Sequence, residues 1–393
     1  MNIIPVVLAA DENYAPQMYV TILSALKSKN KNTFYEFICL VPDRFPADIE
    51  GEFEKLQNKF SNAKIKFIFM NNDFKEQEMH ISHISTPTYY RLKMPELLLE
   101  YKKAIYLDVD IIVLQDLSGL FNTDLDNFYI AGVKAAAYIL NENNREHYKS
   151  IGIEDMSGYI NAGMTLWNLE KIREDNLEPK LIELAGKNFS SMDQDVINLA
   201  FCGKIKFLDF KYNLMTKYYK RILKERENLD RIYGKKEIDE ALLSPVIIHY
   251  ADYIKPWSTE EVWLQEYWRE TEKDSPLKCK IQIGPQGKIL QEINAGKKVI
   301  FWGASLFLED LILSGKINQD NVLGIVDKNE ARLGEKIGKY KVYSPEAIGV
   351  LRPDVIISSI INNNTRIYPQ IKTYVEENYP KTEVLPDIFG RRK

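Results

Sequence analysis

The run Ala104-Ile-Tyr-Leu-Asp-Val-Asp-Ile-Ile-Val-Leu114 constrains this chain most, because it sets two carboxylates, Asp108 and Asp110, inside an apolar, β-branched stretch. Such a run reads as a buried strand. Taking an unpaired carboxylate out of water costs several kcal/mol unless a cation or hydrogen bonds offset it. If the strand runs on through both acids, residues at i and i+2 face the same side and the two carboxylates converge on one place. A divalent cation held at a strand end is the economical reading. A surfaced strand end with solvated acids is the alternative.

The neighbouring pattern supports the first reading. Residues 3–10 are β-rich and end in Ala-Ala-Asp-Glu-Asn-Tyr (9–14), and the following helix carries Met18, Ile22, Leu23, Ala25 and Leu26 as its apolar stripe. A strand over 34–41, a helix over 46–60 and a strand over 64–70 continue the alternation. This order predicts an α/β fold, a parallel sheet with helices against its faces. Ligands of such sheets bind outside the carboxyl ends of the strands, where both Asp11 and the Asp108/Asp110 pair fall.

Further along, 128–133 reads as a strand. The segment 158–168 is a strand carrying Asn161 and two close glycines, a sign of close backbone or ligand approach. Residues 170–186 read as helical, and 190–199 as an N-capped helix whose Asp193 and Asp195 helix-dipole complementarity alone would explain. Arg91, a lone charge among aromatics, reads as the partner of an acid on the sheet. His80 and His83 have no second ligand pair nearby and read as loop histidines. The base-rich stretch from Lys217 to Arg231 reads as a solvated helix face in preference to a membrane or acceptor patch. In 245–257 a strand delivers His249 to its end as a third ligand for the acid pair. Two carboxylates and an imidazole suit Mn²⁺ better than Mg²⁺, and Lys255 supplies a point charge for a phosphate.

With 393 residues the chain exceeds one ordinary core. The expected division is a first domain over 1–270, a linker over 271–296 and a small domain over 297–393. That last part reads as a βαβ unit of Rossmann character, built on the strands at 298–302, 322–327 and 354–359. Its Gly303 lacks the second and third glycines of a dinucleotide fingerprint, although Asp327 falls near the place of a ribose-binding acid. A structural or assembly role, such as pairing of two copies, is the favoured reading there. The net charge of −4 gives no global pull toward nucleic acid or anionic lipid. Three scattered cysteines fit a reducing compartment. The first residues lack the basic start of a signal peptide, and no apolar run approaches the roughly 20 residues of a membrane span. A cytoplasmic location follows, with peripheral contact at the inner face of the membrane as an extension of it.

Taken in order, six motifs over about residues 1–260 resemble glycosyltransferase family 8, the retaining nucleotide-sugar transferases that include bacterial lipopolysaccharide galactosyl- and glucosyltransferases. They are Ala9-Ala-Asp-Glu-Asn-Tyr14, His83-Ile-Ser with Tyr90-Arg91-Leu92, Leu107-Asp-Val-Asp110, Tyr159-Ile-Asn-Ala-Gly163, Asp193-Gln-Asp195, and His249-Tyr through Lys255-Pro-Trp257. The resemblance implies a GT-A fold and a UDP-sugar donor, UDP-glucose or UDP-galactose, used with Mn²⁺ (or Mg²⁺) and a glycan or glycolipid acceptor. It implies Asp108, Asp110 and His249 as metal ligands. It places Ala9, Asp11, Asn13, Tyr14 and Ile84 at the uridine and ribose, and Lys255 at the diphosphate. Arg91, Asn161, Ala162, Asp193 and Gln194 fall at the donor sugar. Gln194 would lie near the anomeric carbon, and Asp195 is the nearest carboxylate in sequence. An amide is a poor nucleophile, so same-face substitution with Gln194 stabilising charge is the favoured course.

Two positions depart from the family pattern. Asp252 stands where the family has glycine, beside the expected diphosphate, and no acid occurs near 133–137, where the family often has one. Two rivals remain. A sugar nucleotidyltransferase would open with a Gly-rich loop and a basic residue, which 9–14 lacks. A non-catalytic sugar-nucleotide-binding scaffold is motivated by Asp252 and the added domain.

Overall fold

A computed structural model describes residues 3–70, 74, 86–141, 145–187, 189–360 and 364–385. The chain divides into two compact units, one running to Trp257 together with Glu261–Lys280, the other taking Ser258–Glu260 and the chain from Ile281.

The first unit is built on a seven-stranded sheet. In chain order its strands are β1 (Ile3–Ala9), β2 (Phe34–Pro42), β3 (Ala63–Met70), β4 (Lys103–Leu107), β6 (Ile130–Lys134), β7 (Ile160–Asn168) and β8 (Ile205–Phe207), with β5 (Ile111–Val113) belonging elsewhere. The spatial order is β3-β2-β1-β4-β7-β6-β8. β1 to β4 pair in parallel, and β7 runs antiparallel to both β4 and β6. Helix Ala15–Ser28 buries eleven of its side chains between Ala15 and Leu26, more than the single stripe read from the sequence. That fits a helix covered by more than the sheet alone.

The apolar run 104–114 is two strands. β4 ends at Leu107, paired with Met164, and β5 begins at Ile111 in a second sheet of order β5-β10-β9, where β9 is Leu214–Met215 and β10 is Ile247–His249. The expectation of one strand continuing through both acids is therefore corrected: Asp108 and Asp110 occupy the bend between two sheets. Thr21 pins that bend from the first helix, its Oγ1 donating toward both Val109 O (3.0 Å) and Ile111 O (2.9 Å). One hydroxyl proton shared by two carbonyls holds the chain where it leaves the first sheet.

Two helix readings also change. Residues 170–186 form two helices, Leu169–Glu174 and Glu178–Ala185, because Asn176 adopts φ 51° between them and Pro179 opens the second. Helix Asp193–Ala200 starts after Met192, at φ 50°, with no side-chain cap from Ser190 or Ser191.

Behind β10, Val20, Ile112, Ile248, Tyr250, Trp257, Trp268 and Cys279 form a buried apolar cluster. Trp268 sits 4.9 Å from Trp257 and 5.8 Å from Tyr250, ring centre to ring centre.

The second unit carries a six-stranded sheet of order β13-β14-β12-β11-β15-β16. The strands are β11 (Val299–Trp302), β12 (Val322–Val326), β13 (Lys336–Ile337), β14 (Tyr340–Tyr343), β15 (Val355–Ser358) and β16 (Glu383–Val384). All neighbours pair in parallel except β13 with β14. Helix Pro285–Asn294 adds Ile289 and Ile293 to its core. Both Asp327 oxygens accept backbone N–H groups of this unit, from Ala304 (2.7 Å) and Asn329 (2.9 Å). A Cβ at Gly303 would run into Ile360. These contacts use the acid for the fold of its own loop.

Trp268→Ala should cost the first unit about 3–5 kcal/mol by emptying this site, measured as the loss of unfolding free energy by calorimetry; a loss near zero would show that the cluster does not support β10.

Candidate active site

The bend after β4, the end of β10 and the middle of β7 bring three potential ligands together. One atom each from Asp108, Asp110 and His249 lies within 4.8 Å of the others. β10 runs antiparallel to β5 with His249 opposite Ile111, one residue from Asp110, and Tyr250 N donates to Asp110 O (3.0 Å). On the other side, Asp108 N donates to Gly163 O of β7 (2.7 Å).

Each carboxylate is divided between two duties. Arg91 NH2 holds Asp108 Oδ1 at 2.7 Å, and Lys255 Nζ holds Asp110 Oδ2 at 2.6 Å. The remaining oxygens turn to His249 Nε2, at 3.8 Å for Asp108 Oδ2 and 3.1 Å for Asp110 Oδ1. Burial alone would push the Asp110 carboxyl up, but Lys255 and His249 beside it hold it well below the usual range. Lys255 is likewise penalised by burial, and Asp110 more than restores its charge.

The donor set fits a divalent cation: two carboxylate oxygens and an imidazole nitrogen converge on a space that the backbone leaves open. A Cβ on Gly163 would collide with His249 Cε1 and lie 2.5 Å from Asp108 Oδ2. Glycine at this point of β7 is thus what lets these side chains meet.

A second group adjoins this one. Arg91, buried and stacked 3.9 Å over the Tyr106 ring, also donates to Ala162 O (2.7 Å) and Thr88 O (2.9 Å), and its Nε lies 3.1 Å from Asp193 Oδ2. Thr88 Oγ1 donates to Asp193 Oδ1 (2.7 Å). Burial raises the Asp193 carboxyl to about 6, against the pull of Arg91 and Thr88. Gln194 Oε1 accepts from Asn161 Nδ2 (3.0 Å) and Ala162 N (3.2 Å). Asp195 is fully buried, accepting from Tyr159 Oη and from Ser191 N (2.9 Å).

The family model for glycosyl transferase family 8 matches residues 5–261. The chain belongs to glycosyltransferase family 8. As a glycosyltransferase of this family it is 31% identical to a putative glycosyltransferase of Haemophilus influenzae over 265 residues, 65% of this chain and 73% of that one. Among solved structures, it resembles the galactosyltransferase LgtC in complex with donor and acceptor sugar analogs, at 26% identity and a TM-score of 0.60, over 70% of this chain and 97% of the other. The glycosyltransferase GlyE of Streptococcus pneumoniae TIGR4 shares the fold at 18% identity and a TM-score of 0.52, over 98% of this chain and 91% of its own. The GT-A fold expected for the first unit is thereby shown.

In this glycosyltransferase the other motif residues lie as follows. Ala9 closes β1, and Asp11 Oδ1 accepts from Asn13 N (3.0 Å) and Tyr14 N (3.2 Å), shaping the turn into the first helix. Asn13 is exposed, and Tyr14 meets Trp257 edge-on at 6.3 Å. Ile84, with His80 and His83, lies outside the described residues. Asp252 Oδ1 accepts its neighbour Tyr253 N (2.8 Å), and its charge opposes the burial that lowers the Lys217 pKa.

Lys217 departs from the solvated face expected of its stretch. It is half-buried, over the rings of Tyr138 (5.8 Å) and Tyr218 (5.6 Å), and burial lowers its pKa. Beyond it, Arg221 pairs with Glu225, and Arg226 with Asp230 and Asp239. No helix among the described residues is long and apolar enough to cross a membrane. Thr88, Gly163 and Asn213 are site residues that carried no assignment from sequence; only the two close glycines of 158–168 hinted at Gly163.

Gly163→Ala should weaken Mn²⁺ binding at least about 10-fold, the range seen when the support of metal ligands is disturbed, while the chain stays folded; calorimetric titration checks this, and wild-type affinity would remove Asp108 and His249 from a shared cation site.

Proposed function

We propose that this enzyme is a retaining, Mn²⁺-dependent hexosyltransferase that moves glucose or galactose from the UDP-sugar to a cell-surface glycan or its lipid-linked precursor. The carrying observation is the convergence of Asp108, Asp110 and His249 beside Lys255. The mixed oxygen and nitrogen donor set suits Mn²⁺ better than Mg²⁺. A divalent cation held there would offset the charge that gathers on the diphosphate as the glycosidic bond breaks.

The chain's own residues supply the rest. Lys255 stands 2.6 Å from Asp110 and can turn its ammonium to a phosphate. Ala9, Asp11, Asn13 and Tyr14, at the carboxyl end of β1, take the uridine and ribose. Arg91, Asn161, Ala162, Asp193 and Gln194 take the sugar, with Gln194 nearest the anomeric carbon. Gln194 is an amide, Asp193 faces Arg91, and Asp195 is buried with hydrogen bonds on both oxygens. None of these is a ready nucleophile, which supports same-face substitution. The anomeric carbon–oxygen bond breaks with its electron pair leaving on UDP. The acceptor oxygen bonds the same face, and its proton passes to the departing diphosphate.

The test is UDP release from UDP-glucose and UDP-galactose with and without Mn²⁺, alongside Asp110→Ala. Cation-dependent release from one donor, with at least about a 10-fold fall in kcat in the variant, is expected; no release and no cation-dependent UDP binding would overturn the assignment.

A further inference from the structure

A chain of hydrogen bonds joins the two halves of this site, and its four links from Asn213 to Asp195 point the same way. His249 Nδ1 lies 2.9 Å from Asn213 Oδ1, and Asn213 Nδ2 donates to Asn161 Oδ1 (2.9 Å). Asn161 Nδ2 donates to Gln194 Oε1 (3.0 Å), Gln194 Nε2 donates to Tyr159 Oη (3.2 Å), and the Tyr159 hydroxyl donates to Asp195 Oδ1. All of these residues are buried, Asn213 completely.

The direction is fixed at both ends of the amide series. The Tyr159 hydroxyl donates to Asp195 Oδ1, which leaves the hydroxyl oxygen to accept from the Gln194 NH₂. The Gln194 oxygen then faces two donors, Asn161 Nδ2 and Ala162 N. Independently, Gly163 N donates to Asn161 Oδ1 (3.2 Å), which sets the same amide orientation from the backbone. The Asn213 NH₂ must then point to Asn161, and its oxygen to His249. A neutral imidazole facing that oxygen carries its proton on Nδ1 and keeps the Nε2 lone pair for a cation held with Asp108 and Asp110, whereas Asp110 Oδ1, 3.1 Å from Nε2, competes for the same ring proton.

We propose that Asn213 is a positioning residue for glycosyl transfer. Its oxygen selects the His249 tautomer able to ligate a cation, and its NH₂ holds Asn161 and, through it, Gln194. One amide thus sets the geometry of both the cation end and the sugar end. The inference rests on the site reading proposed above, but its first readout needs neither cation nor donor.

Two substitutions separate the duties. Asn213→Asp keeps an acceptor for His249 and removes the donor to Asn161; Asn213→Ala removes both. The ring nitrogens of His249, one of only four histidines, are followed by ¹H–¹⁵N NMR in the cation-free protein at alkaline pH. Wild type and Asn213→Asp should show the Nδ1–H tautomer, and Asn213→Ala should shift toward Nε2–H, where Asp110 can accept. Mn²⁺ affinity should be largely kept in Asn213→Asp and fall about 10–100-fold in Asn213→Ala, while kcat for UDP-sugar turnover falls about 10–100-fold in both. In Asn213→Asp the donor KM should stay near wild type. An Nε2–H tautomer in wild type, or Asn213→Ala unchanged in tautomer and Mn²⁺ affinity, would overturn the proposal. So would Asn213→Asp with wild-type kcat. If no UDP-sugar is turned over at all, tautomer and Mn²⁺ affinity still decide the role of Asn213, so its failure and that of the transfer reading stay distinct. If Asn213→Asp does not fold, wild type and Asn213→Ala decide through the same two measurements.

Discussion

Two carboxylates held inside a fold by two fixed cations are the condition on which the rest of the first unit depends. Arg91 and Lys255 each take one oxygen of Asp108 and Asp110, at 2.7 and 2.6 Å. A lone buried acid would cost several kcal/mol, and removing one partner of a buried pair is correspondingly severe. The pairing leaves one oxygen of each acid uncommitted to those cations and turned toward His249. The protein thus stabilises the acids through one oxygen and presents the other. Such a division explains how a strand end can hold two anions and still offer ligand atoms to a cation.

The small sheet β5-β10-β9 gathers the remaining parts. It is only three strands wide and short, yet each strand ends on a site residue: Asp110 precedes β5, His249 closes β10, and Asn213 precedes β9. β10 is central, antiparallel to β5 and parallel to β9, with His249 facing Ile111 on one side and Met215 on the other. A slip of one residue in either pairing would turn His249 to the opposite face. The apolar cluster of Trp257, Trp268 and Tyr250 behind β10 resists such a slip, because those rings would have to leave their packing.

Much of this was legible from residue patterns. The strand-helix alternation of the first seventy residues, the acid pair, His249 and Lys255 all carry periodicity or a chemical oddity that survives without coordinates. What escaped notice did so for physical reasons. The bend at 108–110 is hidden because both flanking pieces are apolar and β-branched, so two strands of different sheets read as one. Asn176 breaks a helical stretch and Met192 opens a helix through positive φ, the first at a residue type that tolerates it and the second at one that rarely adopts it. Asn213 and Thr88 are ordinary polar residues in sequence, and only tertiary contact gives them partners. Lys217 sits among other bases, and composition cannot tell a lysine that turns inward from arginines that pair with nearby acids.

The Asp108/Asp110/His249 cluster and the Asp193/Gln194 group are joined twice, by links of different chemistry. Arg91 bridges Asp108 to Asp193 through charge, and Asn213 bridges His249 to Asn161 through neutral amides. A charged bridge responds to whatever alters the charge at either end: a cation arriving at Asp108 competes with Arg91, and a proton on Asp193 weakens its hold on the same guanidinium. The amide bridge carries no net charge and responds to geometry alone. Because binding free energies are reciprocal, any tightening that a cation produces at Gln194 and Asp193 must be matched by tighter cation binding once the sugar is in place. Arg91, Asn213 and Asn161 are all buried, so both bridges are shielded from competition by water.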